Sequence, residues 1–384
     1  MDMRPFLNVM VERNASDIYF TVGSPPMYRI EGIVQPVGDR EFSAGDLETL
    51  AASIMNERQQ REFTEQLEMN LALSYSGFSR FRVNIFRQRN SVGMVIRKIN
   101  VEIATLDELG LPPILKDIIM TKRGLILVVG ATGSGKSTSL AAMIDHRNSN
   151  APGHIISVED PIEFVHRHKQ SIVNQREIGF DTHSYQAALK SAMRQAPDVI
   201  LIGEIRDAET MEAAITFADT GHLCLATLHS TNANQAFERI INFFPESRHA
   251  QVFLQLSLNL KSIISQRLIL GTDGKRVAAL EILLDTPRIK ELVKRGEVDT
   301  IKEAMVQSAQ EGCQTFDMAL YDLYTAGKID QDQALSNADS VNNLRLKFKV
   351  DAAKENGMTA KPAGKSLRLE GQGLQGQQGR FGRI

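Results

Sequence analysis

Tryptophan is absent from the 384 residues, and cysteine occurs twice, as Cys224 and Cys313. Two cysteines exclude a disulfide framework and a four-cysteine zinc site. Cys224, inside Leu223-Cys224-Leu225, reads as a small buried hydrophobe. No apolar run approaches the roughly 20 residues that cross a bilayer, so no direct membrane span is expected and any membrane association must come through a partner. The opening Met1-Asp2-Met3-Arg4-Pro5 lacks the basic-then-apolar pattern of a secretion leader, which points to a cytoplasmic chain. A surplus of one charge is missing too. The 44 Lys and Arg stand against 46 Asp and Glu, a net −2 that argues against a surface built to coat nucleic acid.

What is present is most concentrated at residues 130–138. Gly130-Ala131-Thr132-Gly133-Ser134-Gly135-Lys136-Ser137-Thr138 comes directly after the apolar run Leu125-Ile126-Leu127-Val128-Val129. Buried strand, glycine-rich turn and helix start, in that order, make a phosphate-binding loop. The glycines let the backbone wrap a polyphosphate and aim N–H groups at it. Lys136 can reach the β- and γ-phosphates of ATP, and the Ser137 hydroxyl can ligate Mg²⁺. The helix beginning there adds the positive end of its dipole.

Around this loop the texture of the chain changes. Residues 1–100 mix short strands (Asp17–Val22, Met27–Ile30, Ile33–Val37, Leu71–Tyr75, Ser79–Phe86, Ser91–Ile99) with helices at Ala44–Met55, N-capped by Ser43, and at about Glu57–Gln66. That pattern predicts a small α+β domain with an antiparallel sheet. Residues 101–118, with Gly110-Leu111-Pro112-Pro113, read as a linker. From 119 to about 350, strands at Leu125–Val129, His154–Val158, Val199–Ile202 and Leu223–Leu228 alternate with helices, which predicts an α/β domain with a mostly parallel sheet. Beyond about 250 the chain reads as largely helical. Phe253, Leu256, Leu260 and Ile264 fall at helical spacing as core, and a hairpin turns around Gly271–Gly274. From about 351 the composition collapses to Gly, Gln, Lys and Arg, a disordered tail. Its stretch Lys361–Arg383, opposed by Glu370 alone, is the one feature favouring a nucleic-acid translocase.

Hydrolysis needs more than a phosphate loop. A carboxylate must orient water, and cationic groups must stabilise the transition state. Val199-Ile200-Leu201-Ile202-Gly203-Glu204 brings one acid to the end of an apolar strand, with Gly203 where a first acid usually stands. Glu204 then orients water or holds Mg²⁺ through its hydration shell, or pairs with Arg206 as a structural ion pair. Glu159-Asp160-Pro161-Ile162-Glu163 lies just past another strand. Glu163 reads as a catalytic carboxylate, with Glu159 and Asp160 near the magnesium; a solvated acidic turn is the plainer alternative. His222 and His229 bracket a single strand, too far apart to share a zinc ion, and His229 can reach the γ-phosphate. Arg80, Arg82, Arg87, Arg89 and Arg97 crowd the last strands of the first domain, either as a solvated basic face or as arginine fingers.

The phosphate loop, the acidic Ile156–Glu163 run, the strand end Asp198–Asp207, the two-histidine segment Gly221–Ala233 and Ser79–Phe86 occur in the order that closely resembles the secretion and type IV pilus ATPases. The absence of an extra N-terminal domain and of a four-cysteine site resembles the PilT/PilU retraction branch. Residues Arg288–Arg295 keep the apolar spacing of a PilT helix needed for retraction but alter its charges, which is more like the PilU type. The resemblance implies a RecA-like ATPase domain preceded by a PAS-like domain and followed by helices. It also implies a homo-hexamer in which each first domain packs on its neighbour, and Arg80, Arg82 and Arg97 as the family's arginines. The expected partners are a sister PilT motor and an inner-membrane pilus platform protein.

Overall fold

The computed structural model of the chain describes residues 1–74, 80–99 and 102–355. The expected strand ends Tyr75 and Ser79, the start of the linker at 101 and the tail from 356 onward lie outside the described residues. Met1–Asp339 form one compact unit, and a second begins at Ser340.

The first region runs α1 (Arg4–Glu12), β1 (Asp17–Phe20), β2 (Met27–Ile30), β3 (Ile33–Pro36), α2 (Ala44–Ile54), α3 (Glu57–Gln66), β4 (Glu68–Ser74), β5 (Arg80–Gln88) and β6 (Ser91–Ile99). Its strands form an antiparallel sheet in the order β3-β2-β1-β6-β5-β4. Helix α2 starts where Ser43 was expected to cap it. The Ser43 hydroxyl accepts the Asp46 N–H at 3.2 Å, and the Asp46 carboxylate accepts the Ser43 N–H at 3.0 Å. On β5 the alternation holds: Phe81, Val83 and Ile85 are wholly buried, while Arg80, Arg82 and Asn84 occupy the opposite, half-buried face. Leu7 and Met10 of α1 and Leu47 and Leu50 of α2 complete that core.

The second region contains α4 (Ile114–Ile119), β7 (Gly124–Val129), α5 (Lys136–Asn150), β8 (Gly153–Glu159), β9 (Ser171–Glu177), α6 (Tyr185–Ala192), β10 (Val199–Ile202), α7 (Ala208–Asp219), β11 (Leu223–Leu228), α8 (Ala233–Asn242), α9 (His249–Asn259), β12 (Leu260–Leu270), β13 (Arg276–Leu284), α10 (Pro287–Arg295), α11 (Ile301–Gln307), α12 (Phe316–Thr325) and α13 (Gln331–Ser336). The strand order is β13-β12-β7-β11-β10-β8-β9, parallel throughout except where β13 returns along β12. Every residue of β7 is buried. Leu125, Leu127 and Val129 belong to one core cluster, and Ile126 and Val128 to another on the opposite face. That uninterrupted apolar run gives a parallel sheet covered on both faces.

One expected continuation is corrected. Leu260 and Ile264 do not extend a helix from Phe253; α9 ends at Asn259 and the two residues open the long strand β12. Both are core, as expected, but the β-branched pair Ile263-Ile264 lies extended beside Leu127 and Val128 of β7. In the stretch expected to link the regions, Leu106, Leu111 and Leu115 are buried in the same cluster as Ile126. In the second unit, α14 (Val341–Glu355) runs five residues past position 350.

Candidate nucleotide and catalytic site

Parallel register sets the site. Val129 pairs with Leu228 and with Ser265, and Ile202 with Ala226 and Val158, so β7, β11, β10 and β8 end together. The residues just past each strand are therefore gathered along one edge, where open parallel sheets bind ligands. They are the loop from Gly130, His229, Gly203-Glu204 and the acidic turn after β8.

The loop leaves β7 through Gly130 at φ +154°. A Cβ there would lie 2.6 Å from the Gln266 carbonyl oxygen and 2.5 Å from Ser134 Oγ, so only glycine fits against β12. Helix α5 starts at Lys136 without a side-chain cap, leaving its first N–H groups to a ligand. Lys136 Nζ donates to the carbonyls of Gly130 and Ala131 at 2.7 and 2.9 Å. Burial lowers its proton affinity, and the Glu204 carboxylate partly restores it. Thr132 to Thr138 line a cavity of about 650 Å³ with Glu159, Asp160, Glu163, Glu204 and His229, and Ala131 lines an adjoining cavity of about 580 Å³.

The carboxylates are held differently. Glu204 Oε1 lies 2.9 Å from His229 Nε2, and Oε2 lies 2.6 Å from Arg206, whose guanidinium also approaches Asp160 at 3.5 Å. The Glu204–Arg206 pair weighed from the sequence thus exists, but inside the cleft and shared with His229. Gly203 takes the place of the usual first acid because a Cβ there would sit 3.0 Å from both Glu159 Cα and Tyr185 Oη. Glu159 is enclosed. Desolvation raises its proton affinity, while hydrogen bonds from Ser157 and Gln175 (2.5 and 3.1 Å) oppose the rise. Asp160 and Glu163 are exposed on the cleft wall. The donor set facing the loop, the Ser137 hydroxyl with the Asp160 and Glu159 carboxylates, is all oxygen. That set suits Mg²⁺, which needs one or two protein oxygens beside phosphate and water.

The arginines stand apart from the loop. None lines the nucleotide cavity. Arg82 and Arg97 line a neighbouring cavity of about 400 Å³ that shares Glu163 as a wall. Arg97 Nε donates to Asp17 at 2.8 Å within its own sheet, whereas Arg80 and Arg82 both reach Glu177 at the end of β9. Arg87 pairs with Glu48, and Arg89 sits in the β5–β6 turn at φ +46°, away from the cleft. His222, at the far end of β11, is held by the Thr220 hydroxyl and faces the Phe217 ring edge-on. Three residues at the site escaped sequence reasoning. Gln266 backs the loop, Gln175 binds Glu159, and Glu177 holds the arginines; Gln266 lies in the first arm of the hairpin expected around Gly271–Gly274, but nothing in the sequence placed that arm beside β7.

The same architecture recurs in known proteins. The profile of the Type II/IV secretion system protein family matches residues 2–361. The chain is 54% identical to the type IV pilus ATPase PilU of Pseudomonas aeruginosa over 91% of its length and 92% of that protein. It is 41% identical to the type IV pilus retraction ATPase PilT of the same organism, over 90% of this chain and 100% of that one. The crystal structure of the pilus retraction motor PilT with bound ADP superimposes with a TM-score of 0.83 at 39% identity, covering 90% of this chain and 99% of PilT. With loop, acids and histidine placed at one sheet edge and such coverage, the chain belongs to the Type II/IV secretion system protein family, in its PilT/PilU branch of pilus ATPases.

Proposed function

We propose that this ATPase is a Mg²⁺-dependent motor that works as a homo-hexamer to drive type IV pilus retraction, and hence twitching motility, together with a sister PilT motor. The observation that carries the reading is the convergence of Lys136, Glu204, His229 and Glu163 on one cavity at the carboxyl edge of the parallel sheet. The loop backbone and Lys136 bind the polyphosphate. Glu204, steadied by His229, accepts a hydrogen bond from the attacking water, with Glu163 as the second acid beside it. Ser137 with Asp160 and Glu159 would hold Mg²⁺, which when bound neutralises charge on the phosphates. Arg80, Arg82 and Arg97 supply cationic groups to the transferring phosphate of an adjoining subunit. Closure of the first region over ATP, about the 101–118 connection, turns binding into rigid-body rotation.

Among the described residues no helix is long and apolar enough to cross a membrane. The proposed placement is cytoplasmic, peripheral at the inner membrane through the pilus platform protein. With ATP and Mg²⁺ the purified chain should sediment as a six-subunit particle and release phosphate. A chain that stays monomeric at high concentration, or hydrolyses ATP equally well as single subunits, overturns the motor. One observation favours a second reading, an accessory subunit that binds ATP and assists the sister motor: α10 carries Arg288, Lys290, Lys294 and Arg295 on its charged face. Retraction sustained while the sister motor's ATPase site is disabled excludes the accessory reading.

A further inference from the structure

Two guanidinium groups of the antiparallel region end on one carboxylate of the parallel region. Arg82 Nη2 donates to Glu177 Oε1 at 3.0 Å, and Arg80 Nη2 to Oε2 at 3.4 Å. The Glu177 side chain is 2% exposed, while the two arginines keep 23% and 26%. A carboxylate so far from water is tolerated only with its counter-ions in place. Asp181, in the turn after β9, accepts the Glu177 N–H at 2.9 Å and lies 4.0 Å from Arg80, which fixes the backbone under the pair. Arg97 is neutralised by Asp17 without leaving its own sheet. Arg80 and Arg82 therefore tie one region to the other, and Glu163 is the shared wall between the Arg82 cavity and the nucleotide cleft.

We propose that Glu177 is a positioning residue that competes with the terminal phosphate of the nucleotide for Arg80 and Arg82. The inference rests on the reading of these arginines as phosphate ligands. A planar guanidinium engaged with Glu177 has to turn away to meet a phosphate. A triphosphate draws both arginines off; once the terminal phosphate has left, the buried carboxylate, stripped of counter-ions, draws them back. Glu177 thereby sets how strongly the chain distinguishes ATP from ADP, and it couples the first region's position to that difference.

The test measures affinity of the full chain, with Mg²⁺, for a non-hydrolysable ATP analogue and for ADP. Glu177→Gln should tighten the triphosphate about fivefold, the size expected for a partly exposed charge-assisted pair, and leave ADP unchanged. The gain should vanish when Arg80→Gln and Arg82→Gln are also present, and Glu177→Asp should return the ratio toward the parent value. An unchanged or lowered triphosphate preference in Glu177→Gln, with the arginine double variant still weakening the triphosphate, overturns the competition and leaves the arginines' role intact. If the arginine double variant alters neither affinity nor turnover, the phosphate-ligand reading fails and the inference with it. Should Glu177→Gln not fold, the similarly sized uncharged Glu177→Met carries the same comparison, with a like tightening of the triphosphate expected and none overturning the competition.

Discussion

The two sheets of this molecule assemble function in opposite ways. In the parallel sheet, chemistry is gathered by strand ends: Gly130, Glu204, His229 and the acids after β8 lie far apart in sequence, yet strand pairing brings them to one edge. In the antiparallel sheet, chemistry lies on a strand face. Arg80, Arg82 and Arg97 come from alternate positions on β5 and from paired β6, with Arg82 directly opposite Arg97. Satisfaction differs as well. Arg80 and Arg82 each reach a carboxylate through Nη2 and Arg97 through Nε, with Arg80 Nε alone of that set buried without a partner, whereas Ser134 Oγ, His166 Nδ1, Tyr185 Oη and Gln266 Oε1 are all buried around the cleft without a protein partner. Unpaired buried polar atoms are costly and so tend to mark places where ligand chemistry, rather than packing, sets the residue.

The largest effects should fall on the strand-end site. Lys136→Ala is expected to abolish ATP turnover, a loss beyond about 10³-fold, because among the described residues no other ammonium lines the loop cavity to bridge the phosphates. Glu204→Gln keeps the shape of the carboxylate and should still bind ATP while turnover falls about 10²–10³-fold. Steady-state phosphate release beside nucleotide binding separates the two; normal turnover in the Glu204 variant removes it from the mechanism. On the strand-face site, Arg82→Gln should lower kcat about 10²-fold with little change in ADP affinity. If binding rather than kcat collapses, the contrast between an edge that holds nucleotide and a face that acts on it is lost.

Sequence legibility fell along the same division. Strands β7, β10 and β11 announced themselves as apolar runs, and the residues just past them were readable as site residues. The face of β5 was readable from simple alternation. Among the elements that escaped are α1, α4, β9 and α14. Helix α1 begins at Arg4-Pro5 with no side-chain cap to mark it. Strand β9, Ser171–Glu177, buries alternate residues without an apolar run, and its hydrogen bonds come from β8. With β9 unseen, Glu177 had no visible place. Its partners lie 95 and 97 residues away, on the other sheet, so no local pattern connects them. The misread helix past Asn259 has a related cause: Leu256 and Leu260 satisfy helical spacing, but Leu260–Ser265 are fixed as strand by pairing with β7 and the remainder of β12 by pairing with β13.

A smaller effect separates the regions by pH. His166, buried on the cleft wall, has its proton affinity pushed down from 6.5 to about 4, mainly by desolvation, with Asp145 opposing and Lys169 adding to the fall. Between those values the unfolded chain binds the proton and the folded chain does not, so stability is full above about pH 6.5 and is lost as pH falls toward 4. The His166 share of that loss is about 2–3 kcal/mol across the window. Denaturant unfolding at pH 7 and pH 4.5 should show His166→Gln with a flatter pH dependence than the parent. An equal slope in both would put the acid sensitivity elsewhere.

The smallest effect tests whether the antiparallel region can be weakened without touching chemistry. Ser43 and Asp46 cap α2 reciprocally, and α2 packs on the sheet through Leu47 and Leu50, on the side opposite the arginine face. Ser43→Ala removes the acceptor for the Asp46 N–H and should cost about 1 kcal/mol in thermal or denaturant unfolding. Arg80, Arg82 and Arg97 are anchored by Glu177 and Asp17, neither of which touches the cap, so ATP turnover at moderate temperature should stay within about twofold of the parent, as distant sites add independently. A larger fall in turnover at unchanged fold would mean that the seating of α2 governs the arginine face, and the strand-face site would then depend on its core as tightly as the strand-end site depends on register.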